Sequence, residues 1–165
     1  MKKTLCVLLL FSFLVPLGGC TLPREDTISF YYPRADLIYD APNGVIASEE
    51  RDAAGYTTDM QYLLSLYLTG PLQQDLVPAF PQGTRLLSNS MDGSQMLVQL
   101  SDTSESMTDG RFSLACACLA LTCIKASSAE EVVISSGSRT MTIREDMLLL
   151  YDEPFPTTSE TEVTE

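Results

Sequence analysis

The chain has 165 residues with ten Lys and Arg against 22 Asp and Glu, a formal charge of −12 and an isoelectric point near 4.2. So acidic a surface repels phosphate backbones and anionic headgroups, which argues against nucleic acid as a partner. It contains no histidine and no tryptophan. The lack of histidine removes the commonest general base, the commonest metal ligand and the centre of every Ser-His-Asp or Cys-His device.

Lys2 and Lys3 form a short positive start, residues 5–15 are apolar except for Ser12, and Pro16 leads into Leu17-Gly18-Gly19-Cys20. A charged start, an apolar core and small residues are the anatomy of a secretory signal peptide. The run falls short of the roughly 20 residues a transmembrane helix needs. Leu17-Gly18-Gly19-Cys20 resembles the lipobox of bacterial lipoproteins. The resemblance implies cleavage before Cys20, diacylation of its thiol, and a protein anchored on the extracytoplasmic face of the cell membrane. Two acyl chains supply the two signals that stable anchoring requires, at ~0.8 kcal/mol per buried methylene. The expected layout is a lipoprotein signal peptide over residues 1–19, a lipidated tether over 20–26, one domain over 27–151 and a disordered acidic tail over 152–165. Loss of the leader removes two lysines and no acid, taking the formal charge from −12 to −14.

Thr27-Ile28-Ser29-Phe30-Tyr31-Tyr32 is β-branched and aromatic and reads as a strand stopped by Pro33. Residues 36–40 could extend as a second strand, Pro42-Asn43-Gly44 is a turn, and Val45-Ile46-Ala47 with the polar residues behind it forms a third. A helix opens near Thr58-Asp59, with Thr57, Thr58 or Asp59 available as N-cap. Met60, Leu63, Leu64, Tyr67 and Leu68 fall at i, i+3, i+4, i+7 and i+8, one stripe of an amphipathic helix. Gly70 can take a left-handed cap and Pro71 ends the helix. Leu72, Leu76 and Phe80, in an irregular connector closed by Pro81-Gln82-Gly83, are expected to cap one end of the core.

Residues 84–89 and 95–100 flank Asp92-Gly93, a hairpin signal, with Met96, Val98 and Leu100 alternating onto one face. Residues 101–110 read as a polar loop. Residues 111–125 form a second helix that is apolar almost all round and therefore deeply buried. Val132-Val133-Ile134-Ser135, a turn at Ser136-Gly137-Ser138 and residues 139–143 make a closing hairpin. The order predicts an α+β fold, two helices packed on one face of a small mixed or antiparallel sheet.

Leu63-Leu64-Ser65-Leu66-Tyr67-Leu68-Thr69-Gly70-Pro71 resembles the helix end of the sporulation and spore germination domain, called GerMN. Pro81-Gln82-Gly83-Thr84, the hairpin over 91–101 and Val132-Val133-Ile134-Ser135-Ser136-Gly137 are similar to later segments of that family, in the same order. The similarity spans residues 28–143. It implies an envelope lipoprotein acting in sporulation, germination or envelope processes through contact with another envelope or membrane protein. The family has no established catalytic residues, so the resemblance implies no catalytic set and no cofactor. Gly70, Pro71, Pro81, Gly83, Thr84 and Gly137 are expected to serve structure. The chain departs from the best-known members in holding one copy and in its cysteine-rich second helix.

Cys6 leaves with the leader and Cys20 is the lipid-attachment residue, which leaves Cys116, Cys118 and Cys123. Their spacing is no zinc pattern. On a helix Cys116 and Cys123 share a face with Phe112 and Leu119, about 10 Å apart by rise, too far for a disulfide. Burial as small core residues is expected, with a redox or intermolecular pair, or a metal, as the other readings. A wall-associated glycan-binding or hydrolytic protein would need paired carboxylates. The acids available are Glu49, Glu50, Asp52, Asp59, Asp102, Glu105, Glu145 and Asp146, read as solvated residues of turns and polar faces.

Overall fold

A computed structural model describes residues 27–36, 44–53 and 55–148. The leader, Cys20, the tether, most of the expected second strand and the acidic tail lie outside the described residues.

β1 (Thr27–Pro33) and β2 (Ile46–Asp52) pair antiparallel as a two-stranded ribbon, with Thr27 opposite Asp52 and Pro33 opposite Ile46. β2 is the expected third strand and includes the polar residues behind Ala47. α1 (Met60–Tyr67) begins where Asp59 accepts a 3.0 Å hydrogen bond from the Tyr62 amide, so Asp59 is the N-cap among the three candidates. Its stripe buries Leu63, Leu64 and Tyr67. The last turn closes through Thr69 N–H to Leu66 O and Gly70 N–H to Tyr67 O, each 3.1 Å, and Gly70 takes φ +91°.

β3 (Leu86–Asp92) and β4 (Gln95–Leu100) form the expected hairpin. Asp92 pairs with Gln95, so the two-residue loop is Gly93-Ser94 and not Asp92-Gly93. Gly93, at φ +61°, supplies the positive φ that the first loop position of such a hairpin requires. α2 (Asp109–Ala126) starts two residues before its expected boundary, where the Thr108 hydroxyl accepts from the Arg111 amide at 3.4 Å. The stretch before it is more than a polar loop: it contains a 3₁₀ turn (Ser104–Ser106), and buried Ser104 donates to Ser136 O at 3.0 Å.

β5 (Glu131–Ser136) lies parallel to β4, Gln95 opposite Glu131, and antiparallel to β6 (Arg139–Arg144). The parallel pair follows from α2, a crossover long enough to return the chain to the same end of the sheet. The result is a four-stranded mixed sheet ordered β3-β4-β5-β6 beside the separate β1-β2 ribbon, an α+β fold.

Met96, Val98, Leu100, Val132 and Ile134 line one sheet face and join Leu63, Leu64 and Tyr67 of α1 and Phe112, Cys116, Leu119 and Cys123 of α2 in one core. Both helices thus cover the same face, as expected. α2 is buried on its other side too, at Cys118, Leu121 and Thr122. There β1 runs alongside, and the Tyr31 amide donates to the Thr122 hydroxyl at 3.0 Å.

Candidate functional site

Strand alternation places Glu49 and Arg51 on the same face of β2, turned inward, with exposures of only 2 % and 7 %. The expectation that the acids are solvated is therefore wrong for Glu49. Arg51 Nε meets Glu49 Oε1 at 2.5 Å, and its guanidinium lies 5.4 Å from the Phe30 ring centroid and 5.8 Å from that of Tyr32. Arg51 also donates to Gly70 O, and to Leu66 O at 3.5 Å. Glu49 Oε2 accepts the amides of Leu72 at 2.8 Å and Gln73 at 2.7 Å. The Tyr32 hydroxyl donates to Tyr67 O at 2.9 Å, and the two rings stack with centroids 4.7 Å apart.

The carbonyls left open at the end of α1 are thus taken by β2 and β1, and the chain leaving α1 is held by its next two amides. Burial alone would raise the Glu49 pKa. The amides of Gln73 and Leu72 and the Arg51 guanidinium outweigh it and hold the carboxyl below its ordinary 4.5. Both its oxygens are occupied, so this is a carboxylate held as an ion, the opposite of what a general acid needs.

The held turn feeds a connector over residues 70–85. Val77 N–H donates to Pro33 O at 3.0 Å, Ala35 N–H to Asp75 O at 2.8 Å, and Arg34 bridges Leu76. At the far end the Thr84 hydroxyl meets Pro81 O at 2.7 Å and the Thr103 hydroxyl at 2.6 Å, with Gly83 at φ +90° closing the turn. Leu76 and Phe80 enter the core as expected. Leu72 does not: it is 79 % exposed, because its amide is the group drawn to Glu49 while its side chain points outward.

Two grooves flank this connector. One, of about 370 Å³, runs between Pro78, Phe80 and Pro81 on one wall and Met107 and Arg111 on the other. The second, of about 320 Å³, is shallower and is lined by Leu68, Thr69, Thr84, Arg85 and Leu86. Gly70, Pro71, Pro81, Gly83 and Thr84 all belong to the connector between them. Gly137 lies apart, in the β5–β6 turn at φ +59°, where a Cβ would run into the Asp102 carboxylate.

The remaining acids are dispersed. Glu50 accepts from the Ser29 hydroxyl, Asp59 caps α1, Glu145 pairs with Lys125 at 2.7 Å and Asp146 with Arg144 at 2.9 Å. Asp52 and Glu105 are exposed. Cys116, Cys118 and Cys123 are free and buried. Burial pushes the thiols of Cys116 and Cys123 up to about 12 and that of Cys118 higher still. Among the described residues, no three His, Cys, Asp or Glu side chains are placed to hold a metal, and no helix is long and apolar enough to cross a membrane.

The sequence does not mark Arg51 as a site residue, and Glu49 reads there as a surface acid. The available signal was their i, i+2 spacing in a strand, which puts opposite charges on one face, across from the aromatic residues of β1.

No protein-family model and no curated protein matches the chain. Among solved structures it is similar to a candidate lipoprotein from Clostridium perfringens, at 20% identity and a TM-score of 0.47, over 73% of this chain and 87% of that one. It is also similar to the tandem GerMN domains of the sporulation protein GerM from Bacillus subtilis, at 12% identity and a TM-score of 0.49, over 68% of this chain and 39% of that one.

Proposed function

We propose that the protein is an extracytoplasmic lipoprotein, anchored through Cys20, whose α+β domain binds another envelope or membrane protein. The observation that carries this reading is Leu17-Gly18-Gly19-Cys20 at the end of a charged and apolar leader. The tether over 20–26 would hold the domain close to the bilayer, where confinement raises its effective concentration for membrane-bound partners. The rest of the chain favours binding over chemistry. Among the described residues the one buried carboxylate, Glu49, is locked as an ion by Arg51 and two amides, and the thiols of Cys116, Cys118 and Cys123 are buried with raised pKa values. The sequence resemblance to GerMN domains points the process towards sporulation, germination or envelope assembly.

Replacement of Cys20 by Ala tests the anchor. The variant is expected in the medium, or retained as an unprocessed precursor of lower mobility. Unchanged membrane retention with unchanged mobility would overturn the anchored reading.

A further inference from the structure

Seven basic side chains fall among the described residues. Four have carboxylate partners: Arg51 with Glu49, Lys125 with Glu145, Arg139 with Asp109 and Arg144 with Asp146. The guanidinium groups of the other three, Arg34, Arg85 and Arg111, have no ion pair among the described residues. The chain has more than twice as many acids as bases, yet these three cations have no acid paired with them among the described residues, and all three adjoin one connector. Arg34 bridges Leu76, and its buried Nε has no acceptor. Arg85 lines the shallow groove beside Thr84. Arg111 lines the deeper groove, facing Pro78, Phe80 and Pro81.

We propose that this end of the molecule, the two grooves flanking Pro81-Gln82-Gly83-Thr84, docks a segment of a partner protein carrying a carboxylate next to an apolar side chain. The inference rests on the interaction-module reading and gives it a surface and a partner chemistry. Charge complementarity selects the carboxylate. The domain's acidic surface repels anionic partners generally, so its unpaired guanidinium groups are where an acidic segment can approach. Arg forms bidentate bonds with carboxylates and is enriched where interfaces concentrate their energy.

The walls select the apolar neighbour. The deeper groove has the size of a site for a few side chains and offers proline, phenylalanine and methionine surface beside one cation. An anionic lipid surface fits less well, because lipid-binding patches cluster four to eight basic residues, whereas here each groove holds one. The buried Glu49–Arg51 pair keeps the connector in place, so the surface is preformed and a partner need not spend energy ordering it.

The test places a photo-crosslinking amino acid at exposed Gln82 of the full-length protein, in cells, with a control at exposed Thr142 on the opposite face of the sheet. The expected result is capture at Gln82 of a membrane or envelope protein, through a peptide containing Asp or Glu beside an apolar residue. Capture should fall about tenfold or more in Arg111→Glu or Arg85→Glu. It should return when the partner's carboxylate residue is changed to Lys. Both arginines are exposed, and an unchanged melting temperature in the variants separates lost binding from lost folding. Capture at Gln82 that ignores both charge reversals overturns the proposal, as does capture there of lipid or a second copy alone. A partner captured at Thr142 but not at Gln82 overturns this surface and leaves the interaction-module reading standing. Capture at neither position overturns both.

Discussion

Arg51 links three parts of the molecule through one side chain: Glu49 in its own strand, Leu66 O and Gly70 O at the end of α1, and the faces of Phe30 and Tyr32. Removing it leaves Glu49 as an unpaired buried charge, so Arg51→Ala should cost about 3–5 kcal/mol, measured by chemical denaturation. A loss below about 1 kcal/mol would mean that the pair is solvated. The pair also sets an acid limit. Because the folded Glu49 pKa lies below its ordinary 4.5, its contribution is full above that value and is lost as pH falls through the folded pKa. Glu49→Gln should therefore flatten the decline in stability below about pH 4.5; an acid arm as steep as the parent's would show that other carboxylates govern it. The thiols have the opposite sign. Raised from 9.0 to about 12 for Cys116 and Cys123, they favour the folded state below pH 9 and lose that contribution as pH rises towards 12. All three cysteines should resist alkylation in the native protein at pH 8 and react together on unfolding.

At the scale of elements, glycines decide where helices and strands stop. Gly70 sits at φ +91° with space for a Cβ only 3.3 Å from Pro78 Cγ, so Gly70→Val meets both backbone strain and a close neighbour. It should destabilise by on the order of 1–3 kcal/mol, and an unchanged melting temperature would contradict the helix-end assignment. α1 was legible in the sequence because five apolar residues at helical spacing allow only one buried stripe, and α2 because it is apolar all round. The parallel pairing of β4 with β5 was not legible. Alternation fixes which face of a strand is buried but not which strand lies beside it. The loop of the first hairpin was displaced by one residue for a related reason: Asp92-Gly93 and Gly93-Ser94 both offer glycine, and the choice falls to the register that buries Met96 and Val98. The candidate site was legible only in part. Pro81, Gly83 and Thr84 stood out as a turn. The charged inner face of β2 reverses the usual polar-out pattern, and its meaning depends on Phe30, Tyr32 and α1 arriving around it.

For the whole molecule, the proposed function combines a strongly acidic chain with a lipid anchor at Cys20. In that proposal the anchor would supply location and the domain recognition, so it depends first on Cys20. The most direct measurement is intact-mass spectrometry of the mature protein extracted with detergent from its native membrane. The account predicts a chain beginning at Cys20 that carries the added mass of a diacylglyceryl group. A mature chain beginning elsewhere, or beginning at Cys20 with a free thiol, would contradict it.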